Sequence, residues 1–208
     1  MEYKCKHQTK SGIKNVHILL KESSVDIIGK HFHPSEVIEL CRKGCINYNK
    51  KWCCPPLSEL FDKLSNGYDR AIILCMYLFT DEFCHVKHKY LRIRAANMLL
   101  KGLSNKLSRG FESKLDGYAL LNGSCNLCKP CGMKMRQHCK KPEKMRYSME
   151  ATGINVSNLL SEVLGFDLQW YSAERMPEYT SVASCVLYKG NHSIIDELTV
   201  DLLSLRCQ

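Results

Sequence analysis

The sequence predicts an α/β or α+β fold: a mixed sheet, a long crossover helix and cysteine-rich loops on one edge. Three observations predict it. Residues 71–79 form an unbroken apolar run, AIILCMYLF, which suits a strand buried on both faces. Ala96, Leu99, Leu100, Leu103, Leu107 and Phe111 recur at helical spacing, giving one apolar stripe. GYALL at 117–121 then leads directly into a loop dense in cysteine.

The elements follow in order. Residues 13–28 read as extended, in the manner of a hairpin. HPSEVIELCRKGC at 33–45 opens with Pro34 and Ser35, residues that start helices, and the helix delivers Cys41 and Cys45 at its C-terminal end. Residues 47–56 form a loop, because Pro55 and Pro56 cannot join a regular ladder. A short helix over 57–67 is closed by Asn66 and Gly67. The strand 70–79 comes next, then a helix over 81–113. Lys87, Arg94 and Lys101 stand seven residues apart and share a second face of that helix. Strand 117–121 completes a parallel unit with a right-handed crossover. A helix over 154–165 ends at Gly165, and 166–172 and 181–190 read as two last strands.

With 208 residues the chain reads as one domain, 1–208, with cysteine-rich inserts at 41–56 and 123–146. No apolar run approaches the roughly 20 residues that cross a bilayer, and the N-terminal residues lack the apolar core of a signal peptide. A cytoplasmic location without membrane contact is therefore expected, and there thiols stay reduced. Thirteen cysteines in that setting point to metal ligands or reactive thiols rather than disulfides.

The net charge of +9 is unevenly spread. Seven Lys or Arg and no acid lie between Cys84 and Phe111, and seven more lie between Lys129 and Arg146 against Glu143 alone. Such stretches suit anionic partners. An acidic redox protein fits best. Nucleic acid fits less well, because Tyr90 and Phe111 are the only Phe, Tyr or Trp in the basic stretch 84–111 of the long helix, and single strands bind on aromatic platforms.

The most specific pattern is Cys125-x2-Cys128-x2-Cys131. Zinc ribbons use separated C-x2-C pairs. Three thiols at successive x2 spacing match the ferredoxin run C-x2-C-x2-C-x3-C-P, which holds a [4Fe–4S] cluster. Here the fourth cysteine, Cys139, follows after seven residues and Pro142 comes three later. Gly123, Pro130 and Gly132 permit a tight loop around such a cluster, and zinc is the alternative metal. The second group is Cys41, Cys45, Cys53 and Cys54. It either holds its own cluster, with one iron left open by three thiolates, or completes the first. One or two clusters are thus expected. Adjacent cysteines do not comfortably bind one metal, and Pro55 fixes the chain after Cys54, so Cys53 is expected to stand aside. Cys75 and Cys185 read as core, and Cys5, Cys84 and Cys207 carry no local signal. The histidines at 31, 33, 85, 88 and 138 read as structural or solvent-facing.

Cys41-x3-Cys45, CPP at 54–56, GSCNLCKPC at 123–131, Cys139 with Pro142, and RYSMEATGINV at 146–156 together resemble an uncharacterised prokaryotic family. That family is described as a predicted metal-binding protein, found mainly in anaerobic bacteria and archaea. The resemblance spans roughly 35–190 and implies Cys41, Cys45, Cys54, Cys125, Cys128, Cys131 and Cys139 as metal ligands. It supplies no reaction. Arg146 and Glu150 lie at a helical ion-pair spacing. They either tether the loop to the next helix or face the cofactor.

These readings lead to an iron–sulfur protein acting in electron transfer or cluster-assisted reduction in an anaerobic cytosol. A non-redox enzyme working at an open iron, for example in sulfur removal or transfer, is the alternative. A zinc-stabilised nucleic-acid module ranks last.

Overall fold

The computed structural model describes residues 2–172, 175–190, 194, 195, 197 and 198; Cys207 lies outside them. Among the described residues five strands form one sheet in the order β1-β2-β3-β5-β4. They are β1 (Glu2–Thr9), β2 (Gly12–Ser24), β3 (Arg70–Phe79), β4 (Tyr118–Leu120) and β5 (Tyr179–Tyr188). Helices α1 (Val25–Gly29), α2 (Pro34–Gly44), α3 (Phe61–Leu64), α4 (Lys89–Lys114) and α5 (Val156–Leu164) accompany it.

The apolar run becomes β3, the central strand, flanked by β2 and β5. Strand side chains alternate between faces, so one sequence supplies two cores. Ile72, Leu74, Met76 and Leu78 pack with Ala96, Leu100, Leu107 and Phe111 of α4. Ala71, Ile73 and Cys75 pack on the other face with Leu159, Leu160 and Val163 of α5. Burial on both faces explains why β3 shows no polar alternation.

Strands and helices combine in an α+β arrangement, and the crossover helix is present. The sheet itself differs from the mixed one expected, since every ladder is antiparallel. β3 and β4 do run in the same direction, because each is antiparallel to β5. The last strand of the described residues, β5, inserts between them and takes the backbone hydrogen bonds of both.

Further corrections concern local elements. The hairpin is β1–β2, with β2 continuous from Gly12 to Ser24, and α1 occupies residues read as extended. The helix before β3 is a single turn, Phe61–Leu64. Helix α4 starts at Lys89, so Lys87 precedes it. Residues 166–172 form no strand. Phe166 instead stacks among Tyr77 and Tyr179, which ties the segment down through rings rather than a ladder.

Polar contacts fix α4 over β5 and aim the cysteine loop. Ser184 Oγ lies 3.0 Å from Ser104 Oγ and 2.8 Å from Ser108 Oγ, all buried. Asn122, the residue before Gly123, donates from Nδ2 to Ser104 Oγ at 2.8 Å and from its backbone N–H to Asn105 Oδ1 at 3.1 Å. Gly117 lies so close to β5 that a Cβ would stand 2.3 Å from Leu187 O. β4 is thereby held at both ends.

Candidate metal centre

Two loops meet at the edge of the sheet beyond β4. The first, 47–56, follows α2, and the second, 123–146, follows β4. Each contains a cis prolyl bond, Pro55–Pro56 and Lys129–Pro130. Lys51 Nζ clasps them together, donating to Ser124 Oγ at 2.9 Å, Cys125 O at 2.8 Å and Asn126 Oδ1 at 3.0 Å. Trp52 Nε1 donates to Gln137 O at 3.0 Å. The second loop turns back on itself at Gly132–Met135, where Gln137 N–H donates to Gly132 O at 3.0 Å. The return is so tight that a Cβ on Gly132 would meet His138 O at 2.7 Å, so only glycine fits.

Between the loops lies a pocket open to solvent. Cys53, Cys125, Cys128, Cys131 and Cys139 line it together with Lys51, Lys140 and Lys141. Four of these thiols were expected here; Cys53 is the one that sequence reasoning set aside. The backbone N–H of Cys125 donates to Cys53 Sγ at 3.0 Å. Burial raises the Cys125 thiol above an ordinary one, and the charges of Cys53 and Cys139 add to this, while the Leu127 N–H and Lys51 act against it.

The second group forms around the C-terminus of α2. Cys41 stands in its last turn and Cys45 caps it, with Cys45 N–H donating to Cys41 O. Burial raises the Cys41 thiol, with the charges of Cys45 and Glu150 behind it. Cys54 is buried, and its sulfur lies 3.8 Å from that of Cys53. Its thiol is raised by donating to Cys53, by burial, and by the charges of Cys53 and Cys45. The same hydrogen bond lowers Cys53 despite burial, helped by Cys125 N–H and Lys51. Cys45 therefore reaches both Cys41 and Cys54, Cys125 reaches Cys53 and Cys139, and the contact between Cys53 and Cys54 joins the two sets.

Arg146 and Glu150 do not pair, because 145–148 is not helical. Arg146 is held instead by α4. Its Nε donates to Glu112 Oε1, its Nη1 to Glu143 O at 2.7 Å, and its guanidinium lies 4.8 Å from the Tyr118 ring centre. Glu112 also accepts from Ala119 N–H at 2.8 Å, so this carboxylate joins the helix, β4 and the end of the cysteine loop. Glu150 is exposed and acts on Cys41.

Cys75 and Cys185 sit in the two central strands, fully buried, away from both groups. His31 is buried with Nε2 3.3 Å from Glu162. Among the described residues no three His, Cys, Asp or Glu side chains stand close enough to share a single metal ion. The donor set is nonetheless sulfur throughout, and soft thiolates suit iron–sulfur centres, zinc and copper(I). A thiol-lined pocket with three lysines fits a group that carries negative charge.

A family model described as "Predicted metal-binding protein (DUF2284)" matches residues 30–188, a span that includes β3, α4, both loops and β5. Searches of curated proteins and of solved structures found no match. Among the described residues no helix is long and apolar enough to cross a membrane.

Proposed function

The chain belongs to the DUF2284 family of predicted metal-binding proteins, and from that premise we propose that it is an iron–sulfur protein of an anaerobic cytosol, acting in electron transfer or cluster-assisted reduction. The carrying observation is the pocket shared by Cys53, Cys125, Cys128, Cys131 and Cys139. One zinc ion takes four ligands from separated pairs. Five thiols spread around one pocket, three of them at successive x2 spacing, favour a larger, multinuclear group.

In this reading Cys125, Cys128, Cys131 and Cys139 hold a first [4Fe–4S] cluster. Cys41, Cys45 and Cys54 hold a second. Such a cluster supplies a redox couple whose potential follows burial, net charge and hydrogen bonds to sulfur. The chain's own part is to set those terms. Lys51, Lys140 and Lys141 bring positive charge to the pocket wall, which favours the more reduced, more negative state. Lys129, Lys134, Arg136 and Lys144 are exposed around it and suit an acidic redox partner. Arg146, spent on Glu112, acts as a support of the loop rather than a cofactor contact.

A second reading has one observation in its favour. Cys45 acts on both Cys41 and Cys54, and Glu150 acts on Cys41. A three-thiolate site leaves one iron open, and a non-redox reaction such as sulfur transfer could use it. The nucleic-acid reading loses one of its two helix aromatics, since Phe111 is buried.

Anaerobic reconstitution tests the proposal. Metal-free protein given ferrous iron and sulfide should take up both, and Cys128→Ser should take up markedly less. Equal uptake by the two proteins contradicts the assignment of the 125–139 loop.

A further inference from the structure

We propose that the outward face of α4 is a second binding site, independent of the metal centre, and that its ligand is a single-stranded nucleic acid. Tyr90, Arg94, Met98, Lys101, Asn105 and Arg109 follow one another at steps of three or four residues, so they lie along one strip of the helix. Tyr90 is 45% exposed and Met98 72%, and Arg94 and Lys101 are exposed as well. Residues 84–111 contain no acid, and the nearest acids on either side are engaged. Glu82 accepts from Asn15 Nδ2 at 2.6 Å, and Glu112 accepts from Arg146 Nε.

The aromatic platform that the helix lacks once Phe111 is buried comes from another part of the chain. Tyr171 sets its ring 5.5 Å from that of Tyr90, and the Arg94 guanidinium lies 6.0 Å from the Tyr90 ring centre. Trp170, the residue before Tyr171, is 73% exposed. Rings set among cations match the two parts of one ligand, because bases stack on the rings while Lys and Arg track the phosphates. A membrane fits less well, since Arg94 and Lys101 interrupt the strip and leave no continuous apolar face to bury. A globular acidic protein fits less well too, because the cations run in a line, which suits a linear polyanion. At its far end the strip abuts the cysteine loop. Asn105 Oδ1 accepts the Asn122 N–H at 3.1 Å, a Cβ on Gly123 would stand 3.3 Å from Lys101 Nζ, and Arg109 Nη2 donates to Lys144 O at 3.0 Å. A strand laid along α4 is thus led from the rings toward the lysines of that loop.

The probe is a fluorescein-labelled oligouridylate of about 20 nucleotides, longer than common single-strand sites, titrated with the full chain and followed by anisotropy. The wild type should bind it more tightly than the same strand paired with oligoadenylate, whose bases are already stacked. Trp170→Ala and Tyr171→Ala should each weaken binding about tenfold, the scale of one stacked base, and Trp170→Phe should restore most of the first loss. Arg94→Gln and Lys101→Gln should each flatten the slope of log affinity against log salt by about 0.7. All four side chains are exposed, so the variants keep the fold. Quenching of tryptophan emission by the strand should disappear in Trp170→Phe, although Trp52 still emits. A wild type that leaves the strand unbound overturns the proposal, and so do alanine variants that bind it as tightly as the wild type. It is overturned equally if vesicles of phosphatidylserine and phosphatidylcholine, or polyglutamate, bind more tightly than the strand and lose that binding in the same variants. The face would then serve a membrane or an acidic protein.

Discussion

The backbone N–H of Cys125 is hydrogen-bonded to the sulfur of Cys53, 72 residues earlier, at 3.0 Å. Two loops that are far apart in sequence thus share one wall of thiols. The clasp that makes this possible is Lys51, whose ammonium reaches three acceptors on the second loop.

Lys51→Met removes those three hydrogen bonds while keeping most of the stem. The expected loss is about 1–3 kcal/mol in denaturant unfolding, the scale of hydrogen bonds to a charged donor in a half-buried setting. Limited proteolysis of the metal-free chain should then cut within 123–146 sooner than in the wild type, since that segment has few apolar side chains to order it. Identical cleavage rates contradict the clasp.

Arg146 and Glu150 separate cleanly. Arg146→Ala removes the nearer guanidinium from the half-buried Glu112 carboxylate, leaving Arg109 at 3.7 Å, and should cost about 1–3 kcal/mol. Glu150→Ala touches an exposed side chain and should change stability by less than about 0.5 kcal/mol. Equal losses would restore the ion pair between them that the sequence spacing suggested.

Those two residues show what the sequence could and could not convey. Periodicity located β3 and α4, because burial on one stripe or on both faces leaves a direct imprint on composition. It missed β1, where EYKCKHQT alternates between exposed and half-buried positions and reads as polar throughout, as an edge strand does. It paired β3 directly with the strand after the helix, because nothing local announces that β5 will insert between them. The cysteine spacing located both loops. It could not tell that Cys53 faces the second loop, since the direction of adjacent side chains depends on a turn fixed by Lys51 and Trp52. Helical spacing matches Arg146 to Glu150, whereas its partner Glu112 comes from the preceding helix.

The central strands carry a pH signature. Burial pushes the Cys75 thiol from an ordinary 9.0 up to about 12, and burial raises Cys185 as well. A raised folded-state value means that the stability is fully present below pH 9.0 and is lost as pH rises toward 12. There the unfolded thiol ionises and the buried one does not. Thermal unfolding followed from about pH 8 to about pH 11 should show falling stability, by at most about 1.4 kcal/mol per pH unit for each such thiol. Cys75→Val should flatten that decline. An unchanged slope in the variant contradicts the assignment.

Elemental analysis of protein purified without oxygen tests the central claim most directly. The account predicts a brown protein containing iron and acid-labile sulfide in similar amounts, with absorbance near about 400 nm that bleaches on reduction. A colourless protein carrying only tightly held zinc would contradict it.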